Sequence, residues 1–313
     1  MSQADKLPYL SRSELESMSI STDDVVATIE RLIRGSVESR AWNAPKMVIT
    51  PPDGRYMMAT LSASDDPPFL AVKSLVLNPK NKAKGLSEIN SLVTLLDSDT
   101  GLPLAVMDGN WVTAIRTAGL SAVAAKRLAN PESSVIAFVG CGVQARSHLR
   151  AFSDLFPLQE IRAFNRGAEN RDALCRTAES MGLVAHSCEQ IEEAIRGADL
   201  IVTSVSWSQN TEAFIDAAWV KAGAFASVVD LGVPWIDESM SAFDRIIIDD
   251  LAQEAETEHP MVDLSLVKGD LSGLVTGKAD GRLTKDEKTA FVFRGFALGD
   301  LALATLAYQA SRH

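Results

Sequence analysis

The residues best placed for chemistry are Gly140, Gly142 and Ala145, in the stretch Val135-Ile-Ala-Phe-Val-Gly-Cys-Gly-Val-Gln-Ala-Arg146. Five apolar residues followed by the spacing G-x-G-x-x-A predict a buried parallel strand that turns sharply into a helix. Gly140 permits the tight turn, and Gly142 lets the backbone approach a pyrophosphate. Ala145 lets helix and strand pack closely, while the helix N-terminus, with Val143 and Gln144, presents free N–H groups to the phosphates. The same glycines also suit an ordinary strand-to-helix turn. A second strand, Glu160-Ile-Arg-Ala-Phe-Asn165, follows a helix over 144–155 and completes a βαβ unit. Its end carries Asn165 and Arg166 instead of the carboxylate that binds a ribose 2′-hydroxyl. No acid is there to repel a 2′-phosphate and Arg166 is able to pair with one, so NADP(H) is preferred over NAD(H). A solvated loop arginine is the alternative.

Further strands are predicted over 198–205, 225–232 and 245–249, the last being the final strand of a doubly wound parallel sheet. Ligand groups in such sheets sit at the carboxyl ends of the strands. Thr203, Ser204, Asp230 and Asp249 lie there. From its position alone, Asp230 also suits a helix or turn cap at a strand end.

The chain N-terminal to this sheet has a different period. A helix begins at Ser21-Thr-Asp-Asp24 and runs to about Gly35; strand-like runs then cover 47–50, 55–61, 70–77, 90–97 and 104–108, separated by Pro51-Pro-Asp-Gly54, Asp65-Asp-Pro-Pro68 and Asp99-Thr-Gly-Leu-Pro103. This half is therefore α+β with a largely antiparallel sheet. Lys73 stands out, because Val72 and Ser74 face the other way on its strand and its segment is otherwise apolar. An Ala-rich helix over 111–125 leads into the glycine strand. Thr284-Lys-Asp-Glu287 has a capping-box pattern, and the helix over 296–310 is apolar on too many sides for a solvated helix, so it packs back onto the first domain. The expected division is 1–115 plus 290–313 for a substrate-binding and dimerisation domain, and 116–289 for the nucleotide domain.

Composition excludes other classes. A net charge of -11, with no basic cluster longer than Lys80-Asn-Lys-Ala-Lys84, argues against nucleic acid and anionic membrane as partners. Cys141, Cys175 and Cys188 have no C-x-x-C spacing, and His148, His186, His259 and His313 no metal-ligand spacing, so neither a disulfide framework nor a metal site is expected. The opening Met-Ser-Gln-Ala-Asp-Lys has no apolar signal core, and no apolar run reaches membrane length. A cytoplasmic protein is expected.

Several motifs in one order resemble the ornithine cyclodeaminase and mu-crystallin family over nearly the whole chain: Ala71-Val-Lys-Ser74, Asp99-Thr-Gly-Leu-Pro-Leu-Ala-Val-Met-Asp-Gly109, Thr113-Ala-Ile-Arg-Thr-Ala118, Val139-Gly-Cys-Gly-Val-Gln-Ala145, Gly281-Arg282 and Gly295-Phe-Ala-Leu-Gly-Asp300. The resemblance implies a Rossmann-type domain inserted into an α+β substrate and dimerisation domain, and a homodimer formed through the latter's sheet. It also implies that Lys73 and Arg116 hold the carboxylate of an amino or imino acid, that Asp230 is the catalytic acid/base beside the hydride carbon, and that Thr117 touches the cofactor phosphates.

Departures narrow the reaction. Lys46 stands where an arginine commonly gives a third carboxylate contact, and the glutamate of true cyclodeaminases falls near Tyr56 or Met57, so a second acid is missing. After Asp230 the chain continues Leu-Gly-Val-Pro-Trp-Ile-Asp237 instead of the family's usual Pro-Gly-Lys. The expected activity is an NAD(P)-dependent amino-acid dehydrogenase or cyclic imine reductase. Ornithine cyclodeaminase is the alternative, and a non-catalytic NADP(H) and small-acid binding protein the third. Met57, Met58, Trp207 and Trp235 are candidates for the side-chain pocket, although such residues are more often core than ligand contacts.

Overall fold

Turn residues and period-two strands build the first part of the chain, and strand–helix alternation the second. The computed structural model describes residues 7–206 and 212–312, apart from the Lys82 side chain. The opening hexapeptide, Trp207 and His313 lie outside the described residues. Two compact units are formed, Met1–Gly119 with Phe296–His313, and Leu120–Gly295.

In the first unit, β1 (Tyr9–Leu10), β2 (Ala41–Asn43), β3 (Met47–Ile49), β4 (Tyr56–Asp65), β5 (Pro68–Leu77), β6 (Ile89–Asp97) and β7 (Pro103–Asp108) make a sheet of order β1-β7-β6-β5-β4-β2, with β3 also paired to β4. It is antiparallel apart from β1, which runs parallel to β7. Alternation sends Thr60, Ser62, Ala71, Lys73, Leu75, Val93, Leu95 and Met107 to a buried face, while Met57, Leu61, Val76 and Leu92 on the other face stay exposed. Helix α9 (Ala297–Ala310) covers the buried face, and α2 (Thr22–Val37) packs against α9. Ser21 caps α2 by accepting the Asp24 N–H, and Val25, Val26, Ile29, Leu32 and Ile33 form its buried stripe. Each such side chain contributes about 1.5–3 kcal/mol of burial energy. Residues 8–20, which carry no clear sequence signal, form β1 and the short α1 (Arg12–Ser17).

Helix α3 (Gly109–Leu128) carries the chain into the second unit. There β8 (Val135–Val139), β9 (Glu160–Phe164), β10 (Val184–Ser187), β11 (Leu200–Thr203), β12 (Phe225–Val228), β13 (Arg245–Ile248), β14 (Val267–Asp270) and β15 (Thr289–Val292) form a parallel sheet of order β10-β9-β8-β11-β12-β15-β13-β14. Helices α4 (Val143–Leu155), α5 (Ala168–Ser180) and α6 (Ile191–Ile195) connect its first strands, and the short α7 (Leu251–Ala255) and α8 (Leu271–Thr276) follow β13 and β14. The order reverses between β8 and β11, the switch point where open α/β sheets bind ligands.

Three expectations need correction. The strand over 245–249 is not the last, since β14 and β15 follow it; β14 reads Val-Lys-Gly-Asp, too short and polar to show a period. Thr284 starts no helix: Glu287 instead accepts the Leu283 N–H at 2.7 Å and pairs with Arg245, so the pattern serves a turn. The expected boundary at 289/290 falls at Gly295/Phe296, because β15 is an interior strand paired to β12 and β13, and the one at 115/116 falls at Gly119/Leu120. Gly281-Arg282 has a structural explanation. The Arg282 guanidinium donates to the carbonyls of Leu128, Ala224 and Glu287, tying the end of α3 to the entry of β12 and β15. Among the described residues no helix is long and apolar enough to cross a membrane.

Candidate active site

In the first unit, strand register sets one row of side chains. Thr60 of β4 faces Lys73 of β5, and Lys46 lies one step beyond the Met47↔Ala59 pair, level with Thr60. Lys73 is 1% exposed. Its Nζ stands 2.8 Å from each carboxylate oxygen of Asp300 on α9, and Thr60 Oγ1 donates to Asp300 Oδ2 at 3.1 Å. Arg116 of α3 brings Nε to 3.2 Å from Asp300 Oδ1, without hydrogen-bond geometry, so this buried donor has no hydrogen-bond partner.

Charge in this cluster does not balance. Two cations surround one carboxylate, in a place that water hardly reaches. Burial would raise the Asp300 carboxyl, but the charges of Lys73 and Arg116 and the hydrogen bonds from Lys73 and Thr60 hold it below the usual range. Burial pushes the Lys73 ammonium down to about 8, against the attraction of Asp300 and with the help of Arg116. One positive charge and one orphan guanidinium N–H remain, which is what a small carboxylate neutralises. Lys73 and Arg116 are thus brought together as expected, and Lys46 shares their row. Asp300, which joins them, had no assigned role in the sequence. Its signal was a lone carboxylate in the apolar helix Ala-Leu-Gly-Asp-Leu-Ala-Leu-Ala. Tyr56 and Met57 bring no acid, and Met57 is 46% exposed on the outer face. Thr117 is buried within α3.

In the second unit a crevice of about 140 Å³ opens at the carboxyl ends of β8, β9 and β11. Gly140, Gly142, Asn165, Arg166 and Ser204 line it, with Asn170, Ser206 and Phe214, which sequence spacing does not reveal. Gly140 has φ +92°, and a Cβ there would stand 2.6 Å from the Ser204 carbonyl oxygen. A Cβ on Gly142 would meet nothing within 4 Å, so the space beside it is open. Gly142 caps α4 with no side-chain hydrogen bond, leaving the first helical N–H groups free for an anion. Gln144 keeps a buried Oε1 without a hydrogen-bond partner. The crevice, the open approach and the free donors fit a dinucleotide's pyrophosphate.

Other expected contacts have different tasks. Ala145 is buried under the turn, and Val143 is 48% exposed at the start of α4. Asn165 braces two turns, accepting the Cys141 N–H at 3.3 Å and donating to the Gly167 carbonyl at 2.8 Å. Arg166 is exposed with no carboxylate in ion-pair range among the described residues. The Thr203 hydroxyl donates to Asp230 Oδ1 at 3.0 Å, and Thr203 is not among the residues lining the crevice.

Asp230 follows β12 and is 7% exposed. Its Oδ2 accepts the N–H of Val205, a residue of the crevice wall, at 3.0 Å. Burial lifts its carboxyl to about 6, against the hydrogen bonds from Val205 and Thr203. A carboxyl that changes charge near neutrality beside a nucleotide crevice suits proton transfer. Asp249, by contrast, is fully buried and accepts the N–H groups of Arg294 and Gly295, a structural task. Trp235 is a core residue, 1% exposed. Among the described residues no three His, Cys, Asp or Glu side chains form a metal-binding group.

A family model described as "Ornithine cyclodeaminase/mu-crystallin family" matches residues 9–313. The chain belongs to the ornithine cyclodeaminase/mu-crystallin family. It is 32% identical to the ketimine reductase mu-crystallin of Mus musculus over 259 residues, which cover 81% of this chain and 79% of that protein. The Thermococcus litoralis Δ1-pyrroline-2-carboxylate reductase, solved with NADH and L-proline, superposes with a TM-score of 0.87 at 25% identity, covering 98% of both chains. An archaeal alanine dehydrogenase dimer with bound NAD gives a TM-score of 0.86 at 27% identity, covering 98% of this chain and 96% of that one. The doubly wound sheet inserted in an α+β unit is therefore the family fold.

Proposed function

We propose that this member of the ornithine cyclodeaminase/mu-crystallin family is an NAD(P)-dependent oxidoreductase that interconverts a small amino acid and its imine, as an amino-acid dehydrogenase or a cyclic imine reductase. The observation that carries this reading is the uncompensated buried charge of Lys73, Arg116 and Asp300, in a chain whose other unit has a nucleotide crevice with an acid at its wall. A bound nicotinamide supplies or accepts the hydride. Arg116 takes the substrate carboxylate with its free donor edge, Lys73 neutralises it, and Lys46 adds a further point charge. Asp230 gives its proton to the imine nitrogen as that carbon is reduced, and takes a proton from the amine in the reverse direction. The missing second acid at Tyr56 and Met57 argues against cyclodeamination, which needs additional proton transfers.

Absorbance of reduced nicotinamide, followed with pyrroline-2-carboxylate, piperideine-2-carboxylate, or pyruvate with ammonia, tests the reaction. Consumption with one of these is expected. Release of ammonia and proline from ornithine without net redox would replace this reading by cyclodeamination. Asp230→Asn should abolish turnover with cofactor affinity kept; loss of cofactor binding would sink its assigned role.

NADP(H) is preferred because Arg166 is exposed, unpaired with any described carboxylate and on the crevice wall. Arg166→Ala should weaken NADPH more than NADH, and equal effects would refute the preference. A homodimer through the outer sheet face is supported by exposed Trp42, Met47, Ile49, Met57, Leu61 and Leu92 on one unit. Light scattering tests it, since a monomer at micromolar concentration contradicts the interface. The three free, buried cysteines suit a cytoplasmic setting.

A further inference from the structure

Asp230 is followed by a sharply constrained turn. Leu231 and Gly232 both have left-handed backbone, φ +61° and +76°, and Val233 N–H closes the turn on the Asp230 carbonyl at 3.2 Å. A Cβ on Gly232 would stand 2.7 Å from the Met261 carbonyl oxygen, so glycine is required there. The turn reverses the chain and returns Trp235 to the end of β11, where its Nε1–H donates to Thr203 Oγ1 at 3.1 Å.

The donor inventory fixes the direction of the whole array. An indole nitrogen only donates, so the bond from Trp235 occupies a lone pair of the Thr203 hydroxyl. Thr203 has one proton, and its other partner is Asp230 Oδ1 at 3.0 Å. That proton therefore points at the carboxylate. Val205 N–H, again only a donor, holds Oδ2. Both oxygens of Asp230 face donors that favour the ionised group, and Trp235 fills one of the two lone pairs of the Thr203 hydroxyl while its proton faces the carboxylate.

The geometry points to Trp235 and Thr203 as positioning residues that hold Asp230 in one orientation and favour its charged, proton-accepting form. The assignment rests on the acid/base reading of Asp230. The groups acting on its carboxylate are the main-chain N–H groups of Val205, Gly232 and Asp230 itself and the Thr203 hydroxyl, and no charged side chain is among them. The array is therefore the principal counterweight to burial, and its removal shifts titration in one direction.

The test is a direct titration of Asp230 by carbon-13 resonance of labelled aspartate carboxyls, assigned by the signal lost in Asp230→Asn. A hydrogen bond to a charged group has the strength to move a titration by roughly one to two pH units. Thr203→Val should raise the Asp230 midpoint by that amount, Trp235→Phe should raise it by less, and Thr203→Ser should restore the wild-type curve. The acid limb of kcat/KM for amino-acid oxidation should move with it. An unchanged midpoint in Thr203→Val, with circular dichroism showing a folded protein, overturns the proposal even if Trp235→Phe fails to fold. The resonance titration needs no substrate. A shifted midpoint with an unmoved pH–rate profile would leave the array standing and remove the acid/base role of Asp230.

Discussion

Raising the pH through the titration of Lys73 should release the substrate carboxylate while the protein stays folded. Its ammonium titrates near 8 because burial outweighs the attraction of Asp300. About nine in ten molecules then carry the charge at pH 7 and about one in a hundred at pH 10. A charge-assisted hydrogen bond is worth about 1.5–3 kcal/mol, so carboxylate affinity should fall roughly tenfold to a hundredfold over that range. Calorimetric titration of pyruvate into protein saturated with oxidised cofactor measures this, since pyruvate itself does not titrate there and no hydride is available. Folding stability should move the other way. With the folded value below the ordinary 10.5, the unfolded chain binds more protons between about 8 and 10.5, so stability rises with pH in that window. Opposite slopes separate the effect from alkaline unfolding. Lys73→Arg, whose guanidinium stays charged, should give a flat binding profile. A pH-independent wild-type affinity, or the wild-type slope in Lys73→Arg, would refute the role of Lys73 in binding.

Asp300→Asn leaves two buried cations without a carboxylate and should cost about 3–5 kcal/mol, seen as a lower urea midpoint; a loss below about 1 kcal/mol would show that the cluster is not held by charge. His148 is fully buried, with Nε2 at 2.8 Å from Ser121 Oγ and Nδ1 at 2.8 Å from the Gln144 carbonyl, and burial lowers its pKa to about 4. Its contribution is present above the unfolded value near 6.5 and is lost as pH falls toward 4, by roughly 3 kcal/mol; urea midpoints that do not move across this window would contradict the neutral, buried imidazole. Gly140→Ala should abolish cofactor binding and destabilise the fold, because its Cβ meets backbone at 2.6 Å, whereas Gly142→Ala should weaken the cofactor roughly tenfold or more with little change in melting temperature. Equal melting temperatures with equal affinities would remove the phosphate-cradle assignment.

Legibility in the sequence followed the range over which each feature is determined. The glycine turn, α4 and the long strands β4 to β6 are decided by near neighbours, and their periods read directly. Lys73 was visible because a charge on an apolar strand violates a local pattern. Asp300 violated one too, in α9, but its partners lie 227 and 240 residues away along the chain, at Lys73 and Thr60. Thr203 at a strand end read as a cofactor contact, because nothing local announces an indole arriving 32 residues later. Asn165 lines the crevice, and the engagement of its amide by the backbone of two separate turns is likewise not announced locally. β10 and β14 are too short and polar to carry a period, and β15 is buried at all four positions yet followed a turn that imitates a helix cap.

The position of β15 bears on how the chain matures. Its neighbours β12 and β13 are made first, yet in the finished sheet neither touches the other; both pair with β15. On a ribosome the two halves of that sheet wait, edges open, until residue 292 has emerged, and the lid over the other sheet, α9, is later still. Such open edges are what holding chaperones bind. A nascent chain stalled before residue 289 should therefore stay protease-sensitive beyond β12, while release of the last two dozen residues closes both sheets almost together.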